Sequence, residues 1–376
     1  MKVLHVGKYY PPVPGGMERV LQLLCEGERN QVDSRVLVAG TGRTTIREVR
    51  NGVPVTRAGS LAMMGSVGLS AALPRELFRA ARDITVLHEP NPVALVADCI
   101  TGGRGPLVVY FHSEVVRAEW KYALLYRPFL RRVLDRAARI IVASPSMAEH
   151  AEQLADHRHK CVVIPYGIDR APLADTPAVR ARAVNLRGEL GGPLVLFTGR
   201  LVPYKGVDVL LRAMATVNAR LVVVGDGPLR GALEAQARAT CGGRVTFAGI
   251  VADHELTALY HACDVFVLPS VTRAEAFGYV QLEAMACRKP VVSTRVASGV
   301  PWVNRDEETG LTVAPGDPDA LAGALRRLLA DDALRARLGA AGHARVLSTF
   351  TIEDMGRRAA AVYEDAREAA ARVAVS

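Results

Sequence analysis

The chain has 376 residues, half of them hydrophobic, and six cysteines. That length exceeds a comfortable single core, so two domains are expected; the lack of any C-x-x-C pair or clustered His partner argues against a zinc site or a disulfide frame. The net charge of +9 is concentrated in the first half, where residues 1–185 hold 25 Lys and Arg against 17 Asp and Glu, a bias that suits an anionic partner (nucleic acid or an anionic membrane) or serves solubility alone.

The opening run, Met1-Lys-Val-Leu-His-Val-Gly7, is too short for a signal peptide and reads as a first strand. No stretch approaches the roughly 18 apolar residues of a membrane span, so a soluble, cytoplasmic protein is expected. Strand-like runs at 2–7, 35–39, 85–88, 107–112, 139–143 and 161–165 alternate with helical stretches. Near-continuous apolar strands between amphipathic helices are what a parallel sheet covered on both faces requires. Residues 171–193, with Pro172, Pro177, Gly188, Gly191, Gly192 and Pro193, predict a linker. The alternation then restarts at 194–198, 220–225, 245–247, 265–268, 290–293 and 311–313. The expected fold is α/β, with two doubly wound domains, 1–170 and 194–350, facing each other across a cleft. The last helical stretch, 352–374, has no following strand and is expected to pack back on the first domain.

Ligands of open parallel sheets sit beyond the carboxyl ends of the strands, and the informative residues lie there in chain order. Gly15-Gly16, in "YYPPVPGGMERV", would admit a phosphate to a helix N-terminus, or simply form a turn. His112, ending "VVYFHS", offers a neutral imidazole to a ligand hydroxyl, unless it is a satisfied core histidine. The segment "RAEWKYALLYRPFLRRVLDRAAR" interleaves Trp120, Lys121, Arg127, Arg131 and Arg132 with leucines and aromatic rings, the make-up of a segment lying on an anionic bilayer. Its Pro128 should divide it, and the alternative is a surface helix whose apolar stripe packs on its own sheet. "FTGRLVPYKG" places Gly199, Arg200 and Lys205 just past a strand, one fork and one point charge suited to a diphosphate. Gly225-Asp226-Gly227 is a second glycine-rich strand end that does not match the dinucleotide-binding fingerprint. In "RAEAFGYVQLEAMA", Glu275 lies in a loop and Glu283 on the helix after it, eight positions apart around Phe277 and Gly278. Unpaired N–H groups at that helix start would face a bound anion.

Taken in order, Gly15-Gly16, His112, Arg200-x4-Lys205, Gly225-Asp226-Gly227 and Glu275-x7-Glu283 resemble the retaining glycosyltransferases of the two-Rossmann-domain (GT-B) type. More narrowly the chain is similar to family four, and "LEAMACRKPVVSTRVASGVPWVN" to its mannosyltransferase-like members of surface polysaccharide assembly. Where many relatives carry an acidic residue, this chain has Trp302. The resemblance implies a nucleotide-sugar donor, GDP-mannose or a UDP-sugar, and a saccharide or lipid-linked acceptor reached at the cytoplasmic membrane face. It assigns Glu283 to the ribose, Glu275 and His112 to the transferred sugar, backbone at Tyr279 and Val280 to the phosphates, Phe277 and Gly278 to the donor site, and backbone at Ile250 to the base. Arg200 and Lys205 would neutralise the departing diphosphate, a task given elsewhere to a divalent metal, so neither metal nor cofactor is expected, and configuration would be retained. Competing readings are a nucleotide-sugar epimerase, a sugar phosphorylase, which would need a pyridoxal-bearing lysine, and a non-catalytic carbohydrate- or nucleic-acid-binding protein. The first two lack a matching set of residues, the last leaves the donor-side set unexplained, and no nucleic-acid-binding fold is recognisable.

Overall fold

The computed structural model of the protein describes residues 1–64, 67–115 and 126–375, in two compact units: Met1–Gly167 with Thr351–Ser376, and Ile168–Phe350. Unit 1 is built on β1 (Lys2–Val6), β2 (Asp33–Ala39), β3 (Ile46–Arg50), β4 (Val53–Ala58), β7 (Ile84–Glu89), β8 (Leu107–Phe111), β9 (Arg139–Val142) and β10 (Cys161–Val163). The sheet order is β10-β9-β8-β7-β1-β2-β4-β3, parallel except for β3. The short strands β5 (Ala62–Met64) and β6 (Val67–Leu69) form a separate antiparallel pair. Val3, Val6, Val86, Leu87, Val108 and Val109 are buried to within 1%, as strands covered on both faces must be. The edge strand β3 is the exception: its "IREVR" is largely exposed and charged, which discourages further strand addition. No alternating apolar signal marked it in the sequence.

Unit 2 holds β11 (Leu194–Thr198), β12 (Arg220–Val224), β13 (Val245–Gly249), β14 (Val265–Leu268), β15 (Val291–Thr294) and β16 (Gly310–Val313), all parallel, in the order β13-β12-β11-β14-β15-β16. Counted within the unit this is 3-2-1-4-5-6, the doubly wound order, with its switch point between β11 and β14. With β3 set aside, unit 1 follows the same rule, switching between β1 and β7.

The linker expected at 171–193 is a correction. These residues contain the helix Pro177–Leu190, which is part of unit 2. The prolines and glycines that read as breakers are its caps: Thr176 accepts from the Val179 N–H, Pro177 occupies the first turn, and Gly191 ends the helix at φ 68°. The helix is tied to Asp253–Ala262 by an Arg182 fork on Glu255, with N···O distances of 2.8 and 2.9 Å. The final helix, Ile352–Val375, lies in unit 1 against Gly16–Gly27. Met355, Ala359, Tyr363 and Ala366 form its buried stripe. A Cβ at Gly27 or Gly356 would collide with the opposing backbone, so the two helices touch main chain to main chain. Among the described residues no helix is long and apolar enough to cross a membrane.

Candidate active site

In unit 2 the chain leaves β11 at Gly199, passes Arg200, and reaches Lys205 in the short turn Pro203–Lys205. From the neighbouring β14 it leaves through Ser270 to Glu275. Val271 donates its N–H to the Tyr204 carbonyl at 2.8 Å, stitching the two loops together. Lys205 Nζ lies 2.6 Å from Glu275 Oε2, and both residues are buried. Ser270 Oγ donates to the same carboxylate oxygen at 3.1 Å. Two residues read from the sequence as performing separate tasks are therefore one ion pair across the switch point. Taking two charges out of water costs several kcal/mol per ion before their attraction offsets it, so a buried pair of this kind points to a site rather than to stability. Arg200 is exposed beside it in sequence, and its guanidinium has no partner among the described residues.

Gly225 ends β12 at φ +123°, and a Cβ there would strike the Gly199 carbonyl. Only glycine lets these two strand ends approach. Asp226 Oδ1 accepts from the Gly227 N–H at 2.7 Å, and its Oδ2 stands 3.7 Å from Arg230. Ile250, past the end of β13, is 84% exposed, an apolar side chain left open at a strand end.

Gly278, at φ 74°, turns the chain from the Glu275 loop into the helix Val280–Ala286. The Gln281 and Leu282 N–H groups fold back onto the Gly278 and Tyr279 carbonyls, both at 2.9 Å. The Val280 N–H has no acceptor among the described residues. Glu283 Oε2 accepts from the Tyr260 hydroxyl at 2.6 Å, and Thr198 Oγ1 lies 3.1 Å from the same hydroxyl. Burial first, then the Glu283 charge, pushes the Tyr260 phenol well above its ordinary value, so it remains a donor. Thr198 and Tyr260 thus orient Glu283, and sequence reading missed both; a tyrosine in the buried face of a helix is a signal too common to single out. Phe277 is core rather than surface: its ring packs 6.3 Å from Trp302 and 6.2 Å from Phe350, centroid to centroid. Its side chain supports the loop from beneath.

In unit 1, Gly15 precedes the helix Gly16–Gly27, but a Cβ there would meet the Glu18 carboxylate. The anion at this helix start is the chain's own, with burial raising the Glu18 pKa and Lys8 opposing the rise. His112, just past β8, is buried, with Nδ1 2.8 Å from the Tyr166 hydroxyl and Nε2 2.9 Å from His88 Nδ1. The chain of contacts continues from His88 Nε2 to His5 Nδ1 at 3.0 Å and from His5 Nε2 to Glu28 Oε1 at 2.6 Å. Ser34 Oγ donates to that same oxygen at 2.6 Å. His5 and His88 were legible as polar residues inside apolar strands, where a partner is obligatory; only the strand order reveals that they are each other's partner. Glu89, the last residue of β7, is fully buried and accepts from the Tyr126 hydroxyl and the Asn91 N–H, both at 2.7 Å. Burial pushes its carboxyl up to about 8.

Trp120 and Lys121 lie outside the described residues. Arg127, Arg131 and Arg132 are on the helix Arg127–Arg136, exposed, while Leu130, Val133 and Leu134 are buried. Pro128 sits in its first turn and does not break it. Within the described part, the apolar stripe therefore packs inward, against the helix Pro92–Ile100 and β8.

Residues 185–345 match the family model for glycosyl transferases group 1, and residues 14–171 that for glycosyltransferase family 4. The chain is 34% identical to D-rhamnosyltransferase WbpZ of Pseudomonas aeruginosa over 93% of its length and 92% of that protein. It is 29% identical to O-antigen chain mannosyltransferase C of Escherichia coli, covering 94% and 96% of the two chains, and 30% identical to a phosphatidyl-myo-inositol mannosyltransferase of Mycobacterium leprae over the whole of both. Sucrose-phosphate synthase from Thermosynechococcus elongatus shares the fold at a TM-score of 0.81 and 23% identity, with 98% and 99% coverage. With two Rossmann-type sheets and family matches on both units, the chain is an enzyme of the GT-B glycosyltransferases and belongs to group 1 and family 4.

Proposed function

We propose that this glycosyltransferase moves a hexosyl group, mannose favoured, from a nucleoside diphosphate sugar to a hydroxyl of a saccharide or lipid-linked acceptor, retaining configuration and using no metal. The observation that carries the reading is the buried Lys205–Glu275 ion pair at the switch point of unit 2. A departing diphosphate gains negative charge as the sugar leaves, and fixed positive groups in a water-poor site stabilise it by about 3 kcal/mol each. Lys205 is held in place by Glu275, and Arg200 stands five residues earlier on the same loop. Glu275 is then the acceptor for the sugar's hydroxyls, and Glu283, oriented by Tyr260, the acceptor for the ribose. The mannosyltransferase names of two full-length relatives support mannose as the sugar; the choice of GDP rests on family resemblance. O-antigen and phosphatidylinositol in those names support a lipid-linked acceptor, for which the exposed Arg127, Arg131 and Arg132 offer contact with an anionic membrane, at its inner face.

A thermal-shift screen tests the donor. A ligand at 100 times its Kd stabilises the folded state by about 2.7 kcal/mol, so GDP-mannose should raise Tm and do so less for Glu283→Gln. A larger shift with UDP-sugars reassigns the base, and no shift with any nucleotide sugar removes the reading.

A further inference from the structure

Unit 2 has a second cleft, of about 340 Å³, built from residues of that unit alone. Its size falls at the lower end of the range of about 300–1,000 Å³ in which small-molecule sites lie. The walls are the turn Ala171–Leu173, the helix Asp332–Thr349, and the last residues of the helices Asp253–Ala262 and Val280–Ala286. Those last two helices carry Tyr260 and Glu283. Their C-terminal ends, however, lead into β14 and β15, so the cleft lies where strands begin and not at the carboxyl ends that carry Lys205 and Glu275.

Two arginines line this cleft, Arg170 and Arg288, both exposed and neither with a side-chain hydrogen bond or ion pair among the described residues. Arg288 stands at an unusual position. Its N–H and that of Lys289 close the helix Val280–Ala286 on the Met285 and Ala284 carbonyls, at 3.0 and 2.9 Å, which is the pairing of a Schellman cap. The cap holds Arg288 at φ 59°, in the left-handed region where glycine is the usual residue. Glycine would close this helix with less strain, whereas arginine brings a guanidinium to the cleft; strained residues of this kind gather at functional sites. Helix C-termini ordinarily oppose an anion, but here cations and N–H groups already meet them. The His261 carbonyl accepts from Lys289 Nζ at 2.8 Å, the Ala262 carbonyl from Arg187, and the Ala286 carbonyl faces His343 Nδ1 at 2.9 Å. His261 Nε2 likewise lies 3.0 Å from the Leu173 carbonyl. Each of these two rings donates to a carbonyl, so the other nitrogen of the neutral imidazole is an acceptor. Asp175, the carboxylate among the lining residues, lies 3.2 Å from Arg180.

We propose that this cleft is a second binding site, separate from the donor site, for a small phosphate monoester that also carries hydroxyl groups. Arg170 and Arg288 hold the phosphate. Each guanidinium fork can take two oxygens; a phosphate monoester has three terminal oxygens to share between two forks, a carboxylate only two. The imidazole acceptors of His261 and His343, with the Asp175 carboxylate, call for hydroxyl donors on the same molecule. A phosphorylated sugar or polyol meets both demands, and a bare phosphate or an uncharged sugar meets one. The transferase reading plays no part in this assignment.

The test is calorimetric titration of the full chain with three probes: glucose 6-phosphate, inorganic phosphate and glucose. Glucose 6-phosphate should bind the wild-type protein, inorganic phosphate should bind more weakly, and glucose should not bind. Arg288→Gly and Arg170→Ala should each weaken glucose 6-phosphate by about tenfold or more, the loss expected when a hydrogen-bonded charge is removed. Arg200→Ala, at the donor site, should leave its affinity unchanged. Because glycine suits the left-handed position, Arg288→Gly should keep a Tm at or above that of the wild type, so its loss of binding cannot be put down to unfolding. In a 1H–15N spectrum of histidine-labelled protein, the His261 and His343 signals should move as glucose 6-phosphate is added. Absence of binding, binding that survives Arg288→Gly, or stationary His261 and His343 signals would overturn the proposal. So would loss of binding in Arg200→Ala with Arg288→Gly unaffected, which would place the probe at the donor site. Inorganic phosphate binding as tightly as glucose 6-phosphate would overturn the assigned ligand class. Binding lost in Arg288→Gly by a protein inert to every nucleotide sugar would keep this inference and remove the transferase reading.

Discussion

The two units place a buried glutamate at the same topological address and treat it in opposite ways. Glu89 ends β7, the strand across the switch point from β1; Glu275 follows β14, the strand across the switch point from β11. Glu275 is held by the ammonium of Lys205 at 2.6 Å. Among the described residues Glu89 meets a hydroxyl and an N–H, and burial raises its carboxyl to about 8, which favours the neutral acid at pH 7. The same contrast extends outward: unit 2 lines its strand ends with Arg200, Lys205, Asp226 and Arg230, whereas unit 1 threads its core with histidines, of which burial holds His88 and His112 below their ordinary value. One fold, used twice, carries charged side chains at the strand ends of one unit and a buried line of histidines in the other. On the proposed reading, that is the difference between holding a nucleoside diphosphate and holding sugars.

The largest effects should come from removing the charges of unit 2. Arg200→Ala should lower kcat by about 10²–10³-fold, and because the side chain is exposed it should change stability by no more than about 0.5 kcal/mol. Lys205→Ala should lower kcat as far and also destabilise the fold by about 3–5 kcal/mol, since it leaves Glu275 buried without its partner. Chemical denaturation beside steady-state kinetics separates the two. Equal stability of both variants would mean that the ion pair is not buried as described.

Next in size is the split between the two carboxylates of unit 2. Glu275→Gln should act mainly on kcat and Glu283→Gln mainly on the donor KM. Small, equal effects from both would contradict the division of labour.

Glu89 sharpens the comparison from the other side. A buried carboxyl with a raised folded-state pKa binds its proton more tightly folded than unfolded. Its contribution is fully present below the ordinary value of 4.5 and is lost as pH rises through about 8. Between those limits wild-type stability should fall by up to about 1.4 kcal/mol per pH unit relative to Glu89→Gln, which cannot ionise. Parallel pH profiles of the two proteins would show that Glu89 is ionised in the fold.

The smallest effect belongs to the helix Arg127–Arg136. Reversing Arg131 and Arg132 to Glu should weaken sedimentation with anionic vesicles by about 1 kcal/mol per charge replaced, and salt should weaken it further. Indifference of the wild-type protein to lipid charge would leave those arginines as a solvated face.

Much of this was legible in the sequence because parallel strands are nearly continuous apolar runs: "LVLFT" and "LVVYF" announce β11 and β8 without any tertiary knowledge. Glu275, Lys205 and Arg200 stood out because glycines and strand ends bracket them. Their pairing did not, since 70 positions separate Lys205 from Glu275 and only the adjacency of β11 and β14 brings them together. The histidine line was hidden for the same reason, with three strands each contributing one ring. Residues 171–193 misled because the proline and glycine that cap a helix are the residues that mark a linker, and the helix Pro177–Leu190 has little apolar periodicity to argue otherwise.

The most direct measurement is release of nucleoside diphosphate from GDP-mannose, with a lipid-linked or free saccharide acceptor, in excess EDTA, for the wild-type protein and Arg200→Ala. The account predicts that the wild-type rate is the same with and without EDTA and that the variant loses at least about two orders of magnitude in both conditions. A rate that requires added divalent metal, or an Arg200→Ala protein as fast as wild type, would contradict it.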